Sequence, residues 1–240
     1  MNNPSRTTPG TLYGVGIGPG SPDLITLRAV SILQSVQVVF AAASPKNDDS
    51  LALSIASPHI GDAQVIRLDF PMTRDKAVLQ EAWNANARAV AEVLASGRDA
   101  AFITLGDPMI YSTFGYLMRT LAELEPAFPV RVVPGITSYQ EAAARTRTIL
   151  CESEENLLLI SGINDPAQLE AALNAADSAV ILKAYRNMEN IRAALDAAGK
   201  NGETLFASRL GLEGEITASG LENVPEKPHY LSLILAPPKR

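Results

Sequence analysis

Short apolar runs alternate along the chain with longer stretches whose apolar positions recur every three or four residues, the spacing of strands and amphipathic helices in turn. Thr11 to Ile17 is the first run; it ends in glycines and predicts a buried strand. Leu24 to Leu33 follows as a helix, with Ser21 as its N-cap, Pro22 at the first helical position and Asp23 in the first turn. Val36 to Ala42 predicts a second strand, Ser50 to Ser57 a short helix, and Val65 to Phe70 a third strand. From Asp75 to Ser96 the pattern is that of a long helix. Leu79, Trp83, Ala87, Val90 and Leu94 share one face, and Gly97 is its stop. Ala100 to Leu105 and Pro108 to Leu124 read as a further strand and helix.

Glu125 to Pro129 places two prolines around a phenylalanine and reads as a linker. Val130 to Val133 then opens a second half. Strands follow at Leu157–Ile160, Ala179–Leu182, Thr204–Ser208 and Tyr230–Leu235. Helices at Tyr139–Arg145, Pro166–Ala176 and Asn187–Ala198 lie between the earlier ones. The alternation predicts α/β architecture in both halves, an N-terminal domain over 11–125 and a C-terminal domain over 130–240. The last strands lack long helices between them, which predicts a mixed second sheet.

Composition narrows the function classes. The 240 residues are 47% hydrophobic and 19% charged, enough apolar material for a core and too much for a disordered chain. Aromatics make up 5%, with Trp83 the one tryptophan, which argues against stacking platforms for single-stranded nucleic acid. A net charge of −6 argues against a broad basic surface for DNA or RNA, although a local arginine cluster can still hold a small anion. Cys151 is the single cysteine, so an internal disulfide is excluded. Met1 to Gly10 has no apolar signal core, and the uncharged stretch between Arg28 and Lys46 is interrupted by Gln34, Ser35 and Gln37. A soluble cytoplasmic protein is the expectation. His59 and His229 are too far apart in the chain to suggest a histidine metal site.

Three predicted strand ends carry unusual residues. The first is Gly14-Val15-Gly16-Ile17-Gly18-Pro19-Gly20-Ser21. It is not the G-x-G-x-x-G dinucleotide fingerprint. Counted from Gly14 the third glycine position is Pro19, and counted from Gly16 it is Ser21. Phe40 to Ser44 also lacks the acidic residue expected after the second strand. A tight turn alone, or a backbone that a ligand approaches closely, remains open. The second is Leu105-Gly106-Asp107-Pro108, where Asp107 suits a helix cap as well as a ligand. The third is Val133-Pro134-Gly135-Ile136-Thr137-Ser138, with Ser138 and Glu141 at capping-box spacing. All three fall where parallel sheets bind ligands, beyond the carboxyl ends of strands. Glycine backbone and one carboxylate between two halves suit a nucleoside with hydroxyls and an amine.

The order G-x-G-x-G-P-G, G-D-P, P-G-I-T-S resembles the tetrapyrrole methylase family, from about Thr11 to Ala236. Ser50 to Ile55, Phe70 to Asp75, Asp107 to Thr113 and Ser138 to Arg145 further resemble the members that methylate C20 of precorrin-2. The resemblance implies two α/β domains, usually as a homodimer, with S-adenosylmethionine as co-substrate in the cleft between them and S-adenosylhomocysteine as product. It implies methyl transfer to C20 of precorrin-2 or cobalt-factor II in cobalamin biosynthesis; composition and chain pattern, for their part, call for no nucleic acid, no membrane and no protein-bound metal. It assigns cofactor contacts to Pro19, Leu105, Gly106, Asp107, Thr137, Ser138 and Lys183, with Leu231 and Ser232 on the adenine side.

No general base is identifiable, and the activated sulfonium needs few acid–base residues. The substrate's carboxylates call for arginine or lysine. Lys46, Arg74, Arg145, Arg147 and Arg186 are candidates, Arg74 foremost because its segment resembles the C20 group. Tyr111, Ser112 and Thr113 follow the G-D-P turn and are candidates to face the ring; Tyr111 suits the core equally. Cys151 reads as inert packing, and His59 as a surface or capping histidine. A sister methylase with another target, and a non-catalytic nucleoside-binding protein on the same scaffold, remain alternatives.

Overall fold

The computed structural model describes residues 8–43, 50–124, 128–161 and 165–238. The chain forms two compact units, Met1–Thr137 and Ser138–Arg240. Among the described residues no helix is long and apolar enough to cross a membrane.

The first unit runs β1 (Leu12–Gly16), α1 (Leu27–Ser35), β2 (Val38–Ala43), α2 (Leu51–Ala56), β3 (Gln64–Asp69), α3 (Lys76–Ala95), β4 (Ala100–Thr104), α4 (Phe114–Leu124) and β5 (Val130–Val133). Its strands pair in the order β3-β2-β4-β1-β5, every pair parallel. Alternation within the strands divides the core in two. Leu12, Val38, Phe40 and Phe102 meet Val90, Phe114 and Leu117 of α3 and α4. Val15, Val39, Ala41 and Ile103 meet Ala29, Leu33 and Ile55 of α1 and α2. Parallel strands buried on both faces explain the near-continuous apolar runs. The connection leaving β1 runs toward β2, and that leaving β4 runs the other way to β5. The chain therefore reverses direction across the sheet at the β4–β1 pair, the position where such sheets open a crevice for ligands.

The second unit runs α5 (Ser138–Thr146), β6 (Leu157–Ser161), α6 (Pro166–Asn174), β7 (Ser178–Leu182), α7 (Met188–Ala197), β8 (Leu205–Ser208), β9 (Ile216–Ser219) and β10 (Ser232–Ala236). The strand order is β6-β7-β10-β8-β9, with β6 and β7 parallel and the remaining pairs antiparallel, a mixed sheet as expected. Ile181, Phe206 and Ile234 pack under α6 and α7, while Val180, Ala207 and Leu233 pack with Ala142 of α5.

Five local expectations change. Ser21 makes no side-chain cap; Pro22–Leu24 is a single 3-10 turn, and Thr26 caps α1 by accepting from Ala29 N at 3.2 Å. The helix expected from Pro108 begins at Phe114, because Tyr111 holds a left-handed φ of 48° that no right-handed helix can contain. β5, expected to open the second half, pairs in parallel with β1 as an edge strand of the first sheet, with Val133 buried in its core. β9 was not expected: it is a short, half-polar edge strand with no apolar run to betray it. Cys151 is exposed and is not packing material.

Candidate active site

The glycine motif after β1 and the turns after β4 and β5 meet at the carboxyl edge of the first sheet, and they meet backbone against backbone. Gly106 N donates to Gly18 O at 2.8 Å, forming an isolated antiparallel bridge outside the sheet. A Cβ on Gly16 would lie 2.5 Å from Gly106 O and 2.7 Å from the Gly135 Cα. A Cβ on Gly135 would lie 2.1 Å from Gly106 O. These two positions are glycine because three chain segments converge there with no room for a side chain. Gly106 differs: its hypothetical Cβ has nothing nearer than 3.8 Å, but its φ of 65° favours glycine.

Asp107 ties the turns together. Its Oδ1 accepts from Met109 N at 2.8 Å, and its Oδ2 accepts from Gly135 N at 3.1 Å. The carboxylate thus closes its own turn and holds the turn after β5, which is more than the helix cap the sequence suggests. Pro19 and Leu105 are half-buried beside these segments, and Thr137 is buried at the end of the third. Pro19, Leu105, Gly106, Asp107 and Thr137 are therefore gathered at the ends of three neighbouring strands.

Ser138, Lys183, Leu231 and Ser232 belong to the second unit. Ser138 is the first residue of α5 and lies inside the helix. Its expected capping partner, Glu141, accepts instead from Arg145 Nε. That bond and a 2.9 Å contact from Arg145 to Glu215 raise the Arg145 pKa, so Arg145 is occupied within the fold. Lys183 follows β7 with φ 56° and an exposed side chain. Leu231 O accepts from Arg209 N at 2.9 Å, and Ser232 O accepts from Ala184 N at 3.1 Å, which brings the ends of β7 and β8 and the start of β10 together. Ser232 is 4% exposed, and its Oγ is buried without a hydrogen-bond partner. A buried hydroxyl left unpaired is costly unless something else meets it.

The remaining candidates divide. Tyr111 is 53% exposed, which removes the core reading for it. Ser112 serves the fold: its Oγ lies 3.0 Å from Thr104 Oγ1 and accepts from Phe114 N at 3.1 Å. Thr113 starts α4 through its carbonyl, which accepts from Tyr116 N and Leu117 N. Arg74 is exposed in the turn between β3 and the Asp75 cap of α3. It shares the carboxyl edge but follows the outermost strand, two strand spacings from β4, or about 10 Å. Lys46 lies outside the described residues. The sequence assigns no site role to Tyr185, Arg209, His229 or Tyr230; in the structure Tyr230 stands beside Lys183, Tyr185 beside Arg186, and His229 beside Arg209. Their basic and aromatic character was visible, but nothing in their spacing joined them.

A family model for tetrapyrrole (corrin/porphyrin) methylases matches residues 11–224. The chain belongs to the tetrapyrrole methylase family. This tetrapyrrole methylase is 38% identical, over 86% of its own length and 86% of the relative's, to a cobalt-precorrin-2 C(20)-methyltransferase of Salmonella typhimurium. It is 32% identical, over 95% of both chains, to a precorrin-2 C(20)-methyltransferase of a Sinorhizobium species. The solved structure of a cobalt precorrin-4 methyltransferase shares its fold, with a TM-score of 0.73, 18% identity, and coverage of 99% of this chain and 97% of that one.

Proposed function

We propose that the protein transfers a methyl group from S-adenosylmethionine to C20 of precorrin-2 or of its cobalt form, in cobalamin biosynthesis, as a cytoplasmic homodimer. The observation that carries this reading is the identity to C20-methyltransferases along most of both chains. The local geometry supports it. At the glycine-lined edge of the first unit Pro19, Leu105, Gly106 and Asp107 are half-buried, and in the second unit the buried Ser232 Oγ has no hydrogen-bond partner. Pro19, Leu105, Gly106, Asp107, Thr137, Ser138, Lys183, Leu231 and Ser232 form the proposed cofactor set.

The sulfonium supplies an activated methyl group, and the macrocycle supplies the carbon nucleophile. The chain's contribution is to align the two and exclude water, which accords with a site short of acids and bases. Arg74 and Tyr111 are the proposed substrate contacts on the first unit. Ser112 and Thr113 act through the turn that presents Tyr111.

Incubation with methyl-labelled S-adenosylmethionine and precorrin-2, with and without cobalt, tests the reading. Label is expected at C20, and S-adenosylhomocysteine but not NAD is expected to bind in calorimetry. Label at another ring carbon would make this a sister methylase, and no transfer at all would leave a nucleoside-binding protein. In the same assay Arg74→Glu is expected to raise the substrate KM about tenfold, the scale of one charge-assisted contact, with cofactor affinity unchanged. An unaltered KM would move the substrate away from β3. Sedimentation is expected to give a species of twice 25.5 kDa.

A further inference from the structure

Three cations of the second unit, Lys183, Arg186 and Arg209, stand near a pair of tyrosines and a histidine. Lys183 Nζ stands 6.0 Å from the centre of the Tyr230 ring, and Arg186 Cζ stands 5.0 Å from that of Tyr185. The two rings touch edge to face, with centroids 5.3 Å apart. His229, next to Tyr230 in the chain, lies 3.3 Å from Arg209 Nη1. Burial and the Arg209 charge both push the His229 pKa down. Burial pushes the Tyr230 pKa up, against the opposing pull of Arg186. Arg209 Nε donates to Glu213 O, a backbone carbonyl.

Among the described residues, no carboxylate lies within ion-pair distance of Lys183, Arg186 or Arg209; the two ion pairs found both belong to Arg145. Acidic residues outnumber Lys and Arg by 26 to 20 in this chain, so bare cations gathered at one place are not a matter of composition. Lys183 and Arg209 also hold left-handed backbone, φ 56° and 53°, a conformation that surrounding structure must enforce in residues with side chains. Aromatic faces attract cations but bring no formal negative charge.

We propose that Lys183, Arg186 and Arg209, set around the Tyr185–Tyr230 pair, form a carboxylate-binding subsite. The guanidinium matches a carboxylate with two parallel donors, and the rings bound it on the apolar side. Two carboxylates fit this chemistry: one on the rim of the macrocycle, or that of the amino-acid end of the cofactor. The choice between them rests on the methyltransferase reading; the anion site itself does not.

The test uses the full chain and two probes, uroporphyrin III, a stable macrocycle with carboxylates on its rim, and S-adenosylhomocysteine. Affinities are measured for the wild type, Arg186→Gln and Lys183→Gln, with thermal melts of each. Arg186→Gln is expected to bind uroporphyrin III about tenfold to a hundredfold more weakly, the scale of one charge-assisted pair, and to flatten the dependence of binding on salt. Unchanged uroporphyrin affinity with weakened S-adenosylhomocysteine would assign the subsite to the cofactor's carboxylate. Unchanged affinity for both probes, in variants that melt like the wild type, would overturn the subsite. Should Arg186→Gln fail to fold, Lys183→Gln, with its exposed side chain, decides alone. Uroporphyrin binding needs no methyl transfer, so failure of the subsite and failure of the catalytic reading give different results.

Discussion

Gly135→Ala is expected to destabilise the first unit by about 3 kcal/mol or more and to abolish S-adenosylhomocysteine binding. The added Cβ would stand 2.1 Å from Gly106 O and 2.8 Å from the Gly16 Cα. Both obstacles are backbone, so no side chain can swing aside. Relief requires the turn after β5 to separate from those after β1 and β4, and those three turns make up the proposed cofactor edge. For a unit of this size the cost corresponds to a fall in melting temperature of roughly 10 °C. Gly106→Ala provides the comparison. Space exists for its Cβ, so its cost is limited to about 1–2 kcal/mol for left-handed backbone. Thermal melts of the two variants beside the wild type decide the matter. A Gly135→Ala protein melting with the wild type would mean that the three turns are not in contact.

Asp107→Ala has the second largest expected effect, and here the two roles of the residue separate. Removing the carboxylate leaves Met109 N and Gly135 N without their acceptor. Both lie near the surface, where water can replace part of the loss, so the expected destabilisation is about 1–2 kcal/mol. The larger consequence falls on binding: two of the three turns lose their tie, and the affinity for S-adenosylhomocysteine is expected to drop about tenfold or more. Asp107→Asn sharpens the result, because an amide keeps one acceptor but turns donors toward the second N–H. It should fall between the wild type and Asp107→Ala in stability and stay weak in binding. Melting temperature and calorimetric affinity, measured on the same samples, give the answer. A loss of stability with unchanged affinity would make Asp107 purely a structural clamp.

Both predictions depend on contacts that join residues 16, 106 and 135, and no local pattern reports such contacts. Asp107-Pro108 looks like a helix start in the sequence, as Asp165-Pro166 does, and only the second is one: Asp165 accepts from Ala167 N at 3.0 Å and caps α6. The difference lies in what surrounds each pair. Asp165 opens onto solvent, whereas Asp107 faces a glycine from another strand end. Tyr111 was ambiguous between core and surface for the same reason, since an apolar residue in a turn carries no periodicity to place it.

Hydrophobic periodicity was enough to place most of the strands and helices, the α/β class and the mixed second sheet, because burial on one or two faces imposes a spacing that each segment carries within itself. The motif order was likewise enough for the family. The partner of β5, the existence of β9, the clamp made by Asp107 and the grouping of Lys183, Arg186 and Arg209 around two tyrosines had to come from the folded chain. Each of these is a relation between segments distant in sequence. Edge strands, polar turns and surface cations pack against neighbours that leave no imprint on their own spacing, so their roles exist only once the tertiary fold has brought the partners together.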